Sequence, residues 1–266
     1  MKNKSIIALL TDFGSCDGYV ASMKGVIHSI LPDAKIVDIT NEISPQNVSE
    51  AAFILWSVYK YFPPNTIFIS VVDPGVGSNR DIICVKTKNH TFLAPDNGLL
   101  KYIIASERVK EVVSVTNKEY FCSEVSSTFH GRDIFAPVAA HLIRGIPLRT
   151  LGEKIEPVTK PEAFINLENQ APTNITGKVI HIDRYGNIIT NVLVTHLESF
   201  KSITDVRINK QTVKFFRNTY SEEKSNKPFV LTGSRNLLEI SVRAKSAAKL
   251  IKAKVGMRVK IYTSVW

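Results

Sequence analysis

The first half of the chain alternates short apolar runs with stretches in which apolar residues recur every three or four positions. The runs, rich in β-branched and aromatic residues, predict strands over 6–10, 35–39, 66–72, 82–86, 91–94 and 109–116. The periodic stretches predict helices over 19–30, 48–61, 99–106 and 133–144. This alternation predicts an α/β domain with a mainly parallel sheet over residues 1–150.

The second half has a different pattern. A proline-containing stretch over 151–173 has no clear period and predicts a linker. Short strand candidates then follow one another at 177–182, 188–194, 205–208, 211–216, 229–232, 237–242 and 258–262. Asn209-Lys210 suits a hairpin turn, and only 246–251 has a helical pattern. We therefore expect a smaller, antiparallel, β-barrel-like domain over residues 174–266.

Composition narrows the class of protein. The 266 residues are 44% hydrophobic and 22% charged, as in ordinary globular proteins, and no apolar run reaches the roughly 18–20 residues of a membrane span. The apolar start at 5–10 lacks a signal-peptide cleavage site. Three cysteines without metal-type spacing fit a reducing compartment. We expect a cytoplasmic protein with no membrane partner.

The net charge of +10 is unevenly distributed. Residues 1–173 carry 17 Lys or Arg against 18 Asp or Glu, whereas residues 174–266 carry 17 against 6. Such a basic domain raises the question of nucleic-acid binding. However, the basic residues are scattered along strand-like segments without a recognised motif, so a solvated basic face is expected and no nucleic-acid partner.

Four polar clusters fall where predicted strands end or loops begin. They are Asp12 with Asp17, Asp73 with Arg80, Asp96-Asn97, and Phe129-His130-Gly131-Arg132-Asp133. Ligands of open α/β sheets bind outside the carboxyl ends of the strands, so these clusters are candidate site residues. Each also has a simpler interpretation, because Asp and Asn favour turns and helix caps; Asp133 is expected to cap the helix over 133–144.

His130 is the strongest single candidate for a catalytic residue. A loop histidine titrates near neutral pH and can orient or accept a proton, although a lone loop histidine is more often structural. Metal binding by Asp12, Asp73 and His130 is conceivable, but tight ligand spacing is missing. Gly75-Val76-Gly77 lacks the third glycine of a dinucleotide fingerprint.

Two stretches interrupt the strand pattern of the second domain. Asp183-Arg184-Tyr185-Gly186-Asn187 and Thr232-Gly233-Ser234-Arg235-Asn236 combine glycine with aromatic, amide and hydroxyl groups. Such groups suit recognition of a flat heterocycle and a carboxylate. As plain turns, the two stretches need no function.

Five ordered motifs resemble one family, the S-adenosyl-L-methionine (SAM) hydroxide adenosyltransferases, which are adenosine-forming SAM hydrolases related to the SAM-dependent fluorinase and chlorinase. The motifs are Leu10–Gly14 with Asp17–Val20, Ile36–Thr40, Val72–Ser78, Ala94–Leu100 and Phe129–Asp133. The resemblance runs from about Ile6 to the C-terminus.

The resemblance implies hydrolysis of SAM at the ribose C5′ to adenosine and L-methionine, without metal or cofactor. It places the family's water-activating Asp, Arg and His on Asp73, Arg80 and His130. The implied substrate contacts are Asp12, Asn97, Asp183, Tyr185, Asn187, Ser234 and Arg235. It also implies an α/β domain plus a β-barrel and a homotrimer, with SAM between one subunit's first domain and its neighbour's second.

Three alternatives stay open: a SAM halogenase, a SAM- or adenosine-binding protein without turnover, and an RNA-binding role for the basic second domain, which would show as steeply salt-dependent binding. In the halogenases the positions aligned with Asp73 and His130 carry tyrosine, so this sequence favours hydroxide over halide. Two departures from the family pattern are Asn41, where histidine is common, and Arg243, where asparagine is common.

Overall fold

A computed structural model describes residues 6–156, 167, 169–171, 173–198 and 202–264 of the chain. The chain divides into two compact units, Met1–Ala163 and Phe164–Trp266. The predicted linker over 151–173 falls partly outside the described residues. Its described part includes a short strand, Asn169–Ala171, which belongs to the sheet of the second unit.

The first unit is built on a six-stranded sheet. Its strands are β1 (Ile6–Thr11), β2 (Lys35–Thr40), β3 (Ile67–Val71), β4 (Ile82–Thr87), β5 (Thr91–Pro95) and β6 (Val109–Ser114). In the order β2-β1-β3-β5-β4-β6, the first four strands pair in parallel, and β4 runs antiparallel to both of its neighbours. The predicted mainly parallel sheet is confirmed.

Helices cover both faces of this sheet. They are α1 (Tyr19–Ile30), α2 (Val48–Val58), α3 (Lys101–Ser106) and α4 (Ala136–Arg144). Along β1, Ile7 and Leu9 pack with residues of α1 and α4, whereas Ala8 and Leu10 pack with residues of α2 and α3. Burial on both faces explains why β1 is a continuous apolar run.

The helix predicted over 133–144 differs from the structure at its start. Gly131–Phe135 form a π-helical turn, and α4 begins only at Ala136, with Pro137 in its first turn. The expectation that Asp133 caps this helix is wrong, because Asp133 lies inside the π-helical turn. Its buried carboxylate instead accepts hydrogen bonds from the Ser126 amide (2.8 Å) and Arg132 Nε (2.6 Å).

The second unit is an antiparallel, nearly closed barrel-like sheet, as predicted. Its strands are β7 (Asn169–Ala171), β8 (Asn174–Ile182), β9 (Ile188–Leu193), β10 (Ser202–Ile208), β11 (Gln211–Val213), β12 (Phe229–Thr232), β13 (Leu237–Ser241) and β14 (Arg258–Ser264), with one helix, α5 (Ala247–Ile251). The order is β11-β10-β14-β8-β9-β13-β12, with β7 on β8. A single bridge between Phe216 and Val230 joins the segment after β11 to β12 and nearly closes the sheet.

Local chemistry explains the two-residue turn between β10 and β11. Asn209 and Lys210 both have positive φ (43° and 63°), which matches a type I′ turn between β10 and β11.

None of the helices in the described ranges has the length and apolar character of a membrane span.

Candidate active site

A cleft of about 380 Å³ opens at the carboxyl ends of the parallel strands in the first unit. Because β1 and β3 are neighbours in the sheet, the loops that follow them meet at one edge. The cleft is lined by Asp12, Phe13, Tyr19, Pro45, Gln46, Val71, Asp73, Pro74, Val76, Thr128, Phe129, His130 and Gly131. Three of the four predicted polar clusters therefore contribute to a single site.

A continuous polar array joins Asp73, Arg80 and His130. Arg80 Nε lies 2.9 and 2.8 Å from the two oxygens of Asp73, and Arg80 Nη2 also contacts Oδ2. The same Nη2 lies 3.0 Å from His130 Nδ1. The side chains of Asp73 and Arg80 are only 4% and 11% exposed, so this ion pair is largely shielded from water. Shielding and the forked geometry make such a pair rigid.

The loop after β3 turns tightly enough to bring Arg80 back onto Asp73. Val76 N donates to Asp73 O (3.2 Å), and Ser78 N and Oγ both donate to Gly75 O. Gly77 has φ +77°, and a Cβ there would lie 2.5 Å from the Ser127 carbonyl oxygen. Glycine is therefore required where this loop packs against the segment that carries His130.

The electrostatics around His130 favour its neutral form. Burial and the neighbouring Arg80 guanidinium lower the pKa of His130, against an opposing effect from Asp73 and Asp133. An arginine only donates hydrogen bonds, so His130 Nδ1 is the acceptor in its contact with Arg80. In the neutral ring the proton then lies on Nε2.

A hydrogen bond from a backbone amide fixes the Asp12 side chain at the wall of the cleft. Its Oδ2 accepts a hydrogen bond from the Gln46 amide at 2.8 Å. Asn41, one of the two departures from the family pattern, supports the same loop: its Oδ1 accepts from the buried Thr11 hydroxyl, and its carbonyl accepts from Gly14 N. Asparagine at this position is therefore compatible with an ordered Asp12 loop.

Three aromatic rings form the apolar side of the cleft. The centroids of Phe13, Tyr19 and Phe129 lie 5.1–5.7 Å apart in tilted and edge-to-face pairs. Such rings provide rigid apolar surface beside the polar array. Phe129 was predicted as part of the cluster around His130, whereas Phe13 and Tyr19 were not predicted as site residues, since Tyr19 lies at the first position of a predicted helix. Phe13 directly follows Asp12 in the sequence, and this position is the signal that could have found it.

The second unit carries a separate cavity of about 600 Å³. It is lined by Asp183, Tyr185, Asn187, Tyr220, Val242, Arg243, Ala244, Lys245 and Ser246. This set includes three predicted substrate contacts and Arg243, the second departure from the family pattern. The cavity is more apolar in its exposed lining than the cleft of the first unit.

Asp183 organises the turn at the edge of this cavity. Its Oδ1 accepts from the amides of Tyr185 and Asn187, and its Oδ2 accepts from Asn187 Nδ2 at 2.9 Å. Gly186 has φ +83° and packs directly on Ser246 at the start of α5, which leaves no room for a Cβ. The turn leaves Tyr185 79% exposed, while Asn187 is buried.

Tyr220 was not predicted from the sequence. Its hydroxyl donates to the buried Glu239 carboxylate (2.6 Å), which also accepts from Ser241 Oγ (3.0 Å). Burial and Glu239 raise the pKa of Tyr220. Tyr220 lies in a 3-10 turn (Tyr220–Glu222) within an irregular stretch, where no periodicity marks it.

The remaining predicted residues line neither space. Asn97 Nδ2 donates to the Val72 carbonyl (2.9 Å), and its Oδ1 accepts from Leu99 N, so it braces the loop that carries Asp73. Ser234 and Arg235 lie in the turn between β12 and β13. Among the described residues, no group of His, Cys, Asp and Glu side chains has a geometry that could hold a metal ion.

Fold and site together define a two-unit protein with a polar cleft at a parallel sheet edge and a second cavity on a barrel-like antiparallel sheet. Residues 7–152 match the family model of the SAM hydroxide adenosyltransferase N-terminal domain, and residues 177–260 match the C-terminal domain model. The chain belongs to the SAM hydroxide adenosyltransferase family.

Individual relatives agree with this assignment. The chain is 38% identical to an (R)-S-adenosyl-L-methionine hydrolase of Methanocaldococcus jannaschii, over 92% of this chain and 91% of that protein. It is 27% identical to a fluorinase of Actinopolyspora mzabensis, over 98% of each chain. A crystal structure of an uncharacterised conserved protein from Thermotoga maritima superimposes with a TM-score of 0.86 at 34% identity, covering 96% of this chain and 99% of the other.

Proposed function

We propose that this chain is a SAM hydrolase that cleaves SAM at the ribose C5′ to give adenosine and L-methionine. The observation that carries the proposal is the shielded Asp73–Arg80–His130 array, of which Asp73 and His130 line the cleft beside aromatic side chains and Arg80 lies behind them. The names of the relatives point to the same reaction.

The array is suited to holding a water molecule. With Nδ1 accepting from Arg80, neutral His130 offers Nε2–H as a donor to a water oxygen. Each carboxylate oxygen has two lone pairs, so Asp73 can accept a water proton while it also binds Arg80. Asp73 is then the proton acceptor and His130 the group that orients the water.

This arrangement fits the chemistry of the substrate. A sulfonium leaves as a neutral thioether, so its departure needs no acid. Free water is a very weak acid and a weak nucleophile until it is oriented and partly deprotonated. Alignment of the water with the C5′–S bond supplies much of the rate. No cofactor takes part in the proposed reaction, since SAM is the substrate.

We assign the remaining predicted residues to substrate binding. Asp12, fixed by the Gln46 amide, would bind the ribose hydroxyls as an acceptor. Tyr185, Asn187 and Asp183 would bind adenine and methionine at the cavity of the second unit, with Ser234 and Arg235 from the adjacent hairpin. Asn97 would act indirectly, through the loop that it braces.

The direct test is a product assay. Purified protein incubated with SAM and EDTA should release adenosine and methionine in equal amounts, resolved by chromatography. Both sulfonium epimers should be supplied separately, because the relatives are named for the (R) epimer. The proposal would be overturned if neither epimer gave adenosine or methionine. Full activity in the His130→Ala variant would also overturn it.

A SAM halogenase is the alternative within enzymes. The Arg80 guanidinium is already engaged by Asp73 and His130, so the cleft does not present a free cation to a halide. Supplying chloride or fluoride should therefore yield no 5′-halo-5′-deoxyadenosine. Tight binding of SAM without products would instead identify a sensor.

We further propose a homotrimer in which the cleft of one subunit and the cavity of its neighbour share one substrate. Asp73→Asn protein lacks the proton acceptor, and Asn187→Ala protein should have too little affinity to turn over SAM at a low concentration. At that concentration, mixing the two variants and allowing subunit exchange should restore activity if the two halves come from different chains. A monomer by light scattering, or mixtures that stay inactive after verified exchange, would contradict this assembly. The cytoplasm remains the expected location.

A further inference from the structure

A further cavity of the first unit, about 280 Å³ in volume, lies at the edge of the sheet opposite to the candidate active site. On the sheet side it is lined by Lys86 of β4 and by Thr91, which is the first residue of β5 and therefore marks the amino ends of the parallel strands. On the helix side it is lined by Leu142, Ile143 and Ile146. We name this space the lysine cavity.

The aliphatic wall of the lysine cavity is built by the end of α4. Gly145 has φ +102° and ends the helix in the left-handed conformation, and Ile146 N then donates to the His141 carbonyl at 3.4 Å. This turn holds Ile146 near Leu142 and Ile143, and all three side chains pack on the core of the first unit. The wall is therefore fixed by helix-ending geometry and core packing.

Lys86 brings a positive charge into this apolar surrounding. It follows Cys84 on the face of β4 that α4 covers, and it is half-buried there. Its ammonium donates to Thr91 Oγ1 at 3.1 Å. Glu111 pairs with Lys86 across β4 and β6, but its carboxylate binds Arg149 Nε at 2.9 Å. Within the described ranges, no carboxylate forms an ion pair with the Lys86 ammonium, whose partner is a neutral hydroxyl.

The groups around this ammonium are able to receive an anion. Thr91 is buried, and because its hydroxyl oxygen accepts from Lys86, its own proton is available for a second acceptor. Burial lowers the pKa of Lys86, an effect that the nearby Lys110 reinforces. A poorly hydrated cation gains more from a counter-ion than a fully solvated one does.

We infer that the lysine cavity binds a small aliphatic monocarboxylate. One ammonium balances one negative charge, and the Thr91 hydroxyl supplies a second hydrogen bond to the carboxylate. The hydrocarbon chain would lie against Leu142, Ile143 and Ile146, and the volume suits a chain of about six carbon atoms. Phosphate is less well matched, because it carries more charge and has no chain to cover the aliphatic wall.

The test is a titration of the full-length protein with hexanoate, followed by NMR of its labelled isoleucine methyl groups. Ile143 and Ile146 line the lysine cavity, and an isoleucine-to-valine variant of each assigns its signal. Hexanoate should shift these two signals with a dissociation constant of about 1 mM or lower. Two matched ligands separate the contributions: hexan-1-ol keeps the chain without the charge, and acetate keeps the charge without the chain. Each should bind at least ten-fold more weakly than hexanoate.

The decisive variant is Lys86→Met, which removes the charge and keeps an unbranched side chain. It should bind hexanoate at least ten-fold more weakly, while its affinity for hexan-1-ol stays within three-fold of the parent protein. Thr91→Val, which replaces the hydroxyl by a methyl group, should weaken hexanoate binding by about three-fold or more. Lys110→Met is the control, since this exposed lysine lies near Lys86 but does not line the cavity. It should bind hexanoate like the parent, and thermal melts verify that each variant is folded.

Several outcomes would overturn the inference. Absence of methyl shifts with hexanoate at concentrations up to about 20 mM would mean that the cavity takes no such ligand. Equal affinity for hexan-1-ol would leave Lys86 without a role, and equal affinity for acetate would leave the aliphatic wall without one. Equal weakening in Lys86→Met and Lys110→Met would assign binding to net charge. Because the titration contains no SAM, its outcome is independent of the proposed hydrolase activity.

Discussion

The cleft of the first unit and the cavity of the second hold their polar groups in different ways. In the cleft, side chains bind one another: Arg80 connects Asp73 to His130, which lies fifty residues beyond Arg80 in the sequence. In the cavity, the polar side chain of Asp183 binds the backbone of its own turn. The polar array of the cleft is therefore fixed by long-range contacts, and the Asp183 turn at the edge of the cavity by local ones. We expect chemistry to depend on the first and affinity on the second.

The largest effect should come from Asp73→Asn. This change removes the proton acceptor and leaves a buried Arg80 without its charge partner. We expect kcat for adenosine release to fall by a factor of about 10² to 10⁴, with little change in KM. Arg80→Lys, which keeps the charge but loses the fork, should show a smaller loss. If Asp73→Asn and the parent protein had equal kcat, the cleft could not be the region on which the chemistry depends.

The next effect should come from Gly77→Ala. A Cβ at this positive φ would meet the Ser127 carbonyl oxygen at 2.5 Å, so the loop must shift away from the His130 segment. We expect a loss of about 1–3 kcal/mol in the free energy of unfolding, measured in urea, together with reduced kcat. Gly75→Ala is the matched control, because its nearest neighbour, Ser78 Oγ, would lie 3.4 Å away. Similar losses in both variants would mean that the contact with Ser127 is unimportant.

Tyr185→Ala tests the second region. The exposed ring contributes surface at the cavity edge without supporting the turn, whose hydrogen bonds come from Asp183. We expect KM to rise about ten-fold with kcat within two-fold of the parent. Tyr61→Ala, at an equally exposed tyrosine (80%) that lines neither space, should leave both constants unchanged. A loss of kcat at constant KM would assign Tyr185 to chemistry.

The smallest effect concerns pH. Since burial and Arg80 lower the pKa of His130, activity should persist below its usual value of about 6.5 and fall at lower pH, where a proton on Nδ1 would face Arg80. Asp133 raises this pKa, so Asp133→Asn should move the acid limb of the kcat profile to lower pH. Arg132→Gln removes the cation bound to Asp133 and should move it to higher pH. Shifts in the same direction would contradict the electrostatic explanation.

The same depressed pKa affects folding stability. The unfolded chain binds a proton to this histidine more readily than the folded chain does, so stability rises with pH between the two pKa values. The contribution is present above the unfolded pKa and is lost as pH falls through the folded one. His130→Gln should flatten this part of the stability profile.

The parts of the site that follow from strand ends were predictable from the sequence. Asp12 and Asp73 each follow a recognisable apolar strand, and adjacent parallel strands bring their ends together. Periodicity also placed α1 at the residues observed, Tyr19–Ile30. These features depend on local pattern plus one general rule of topology.

Other features depend on strand register or on side-chain packing, and neither can be predicted from a single sequence. Tyr220 joins the cavity through a contact with Glu239, nineteen residues away in an irregular stretch. The π-helical turn was missed because its apolar spacing continues that of α4.

That π-helical turn, Gly131–Phe135, makes the cleft sensitive to chain length. One residue fewer would let an ordinary α-helix continue through the turn, but it would rotate everything before it by about 100° around the helix axis. His130 would then leave Arg80, even though every side chain of the site was still present. A single-residue deletion here should therefore be less tolerated than any conservative substitution. Homologous chains should show substitutions in this turn more often than insertions or deletions.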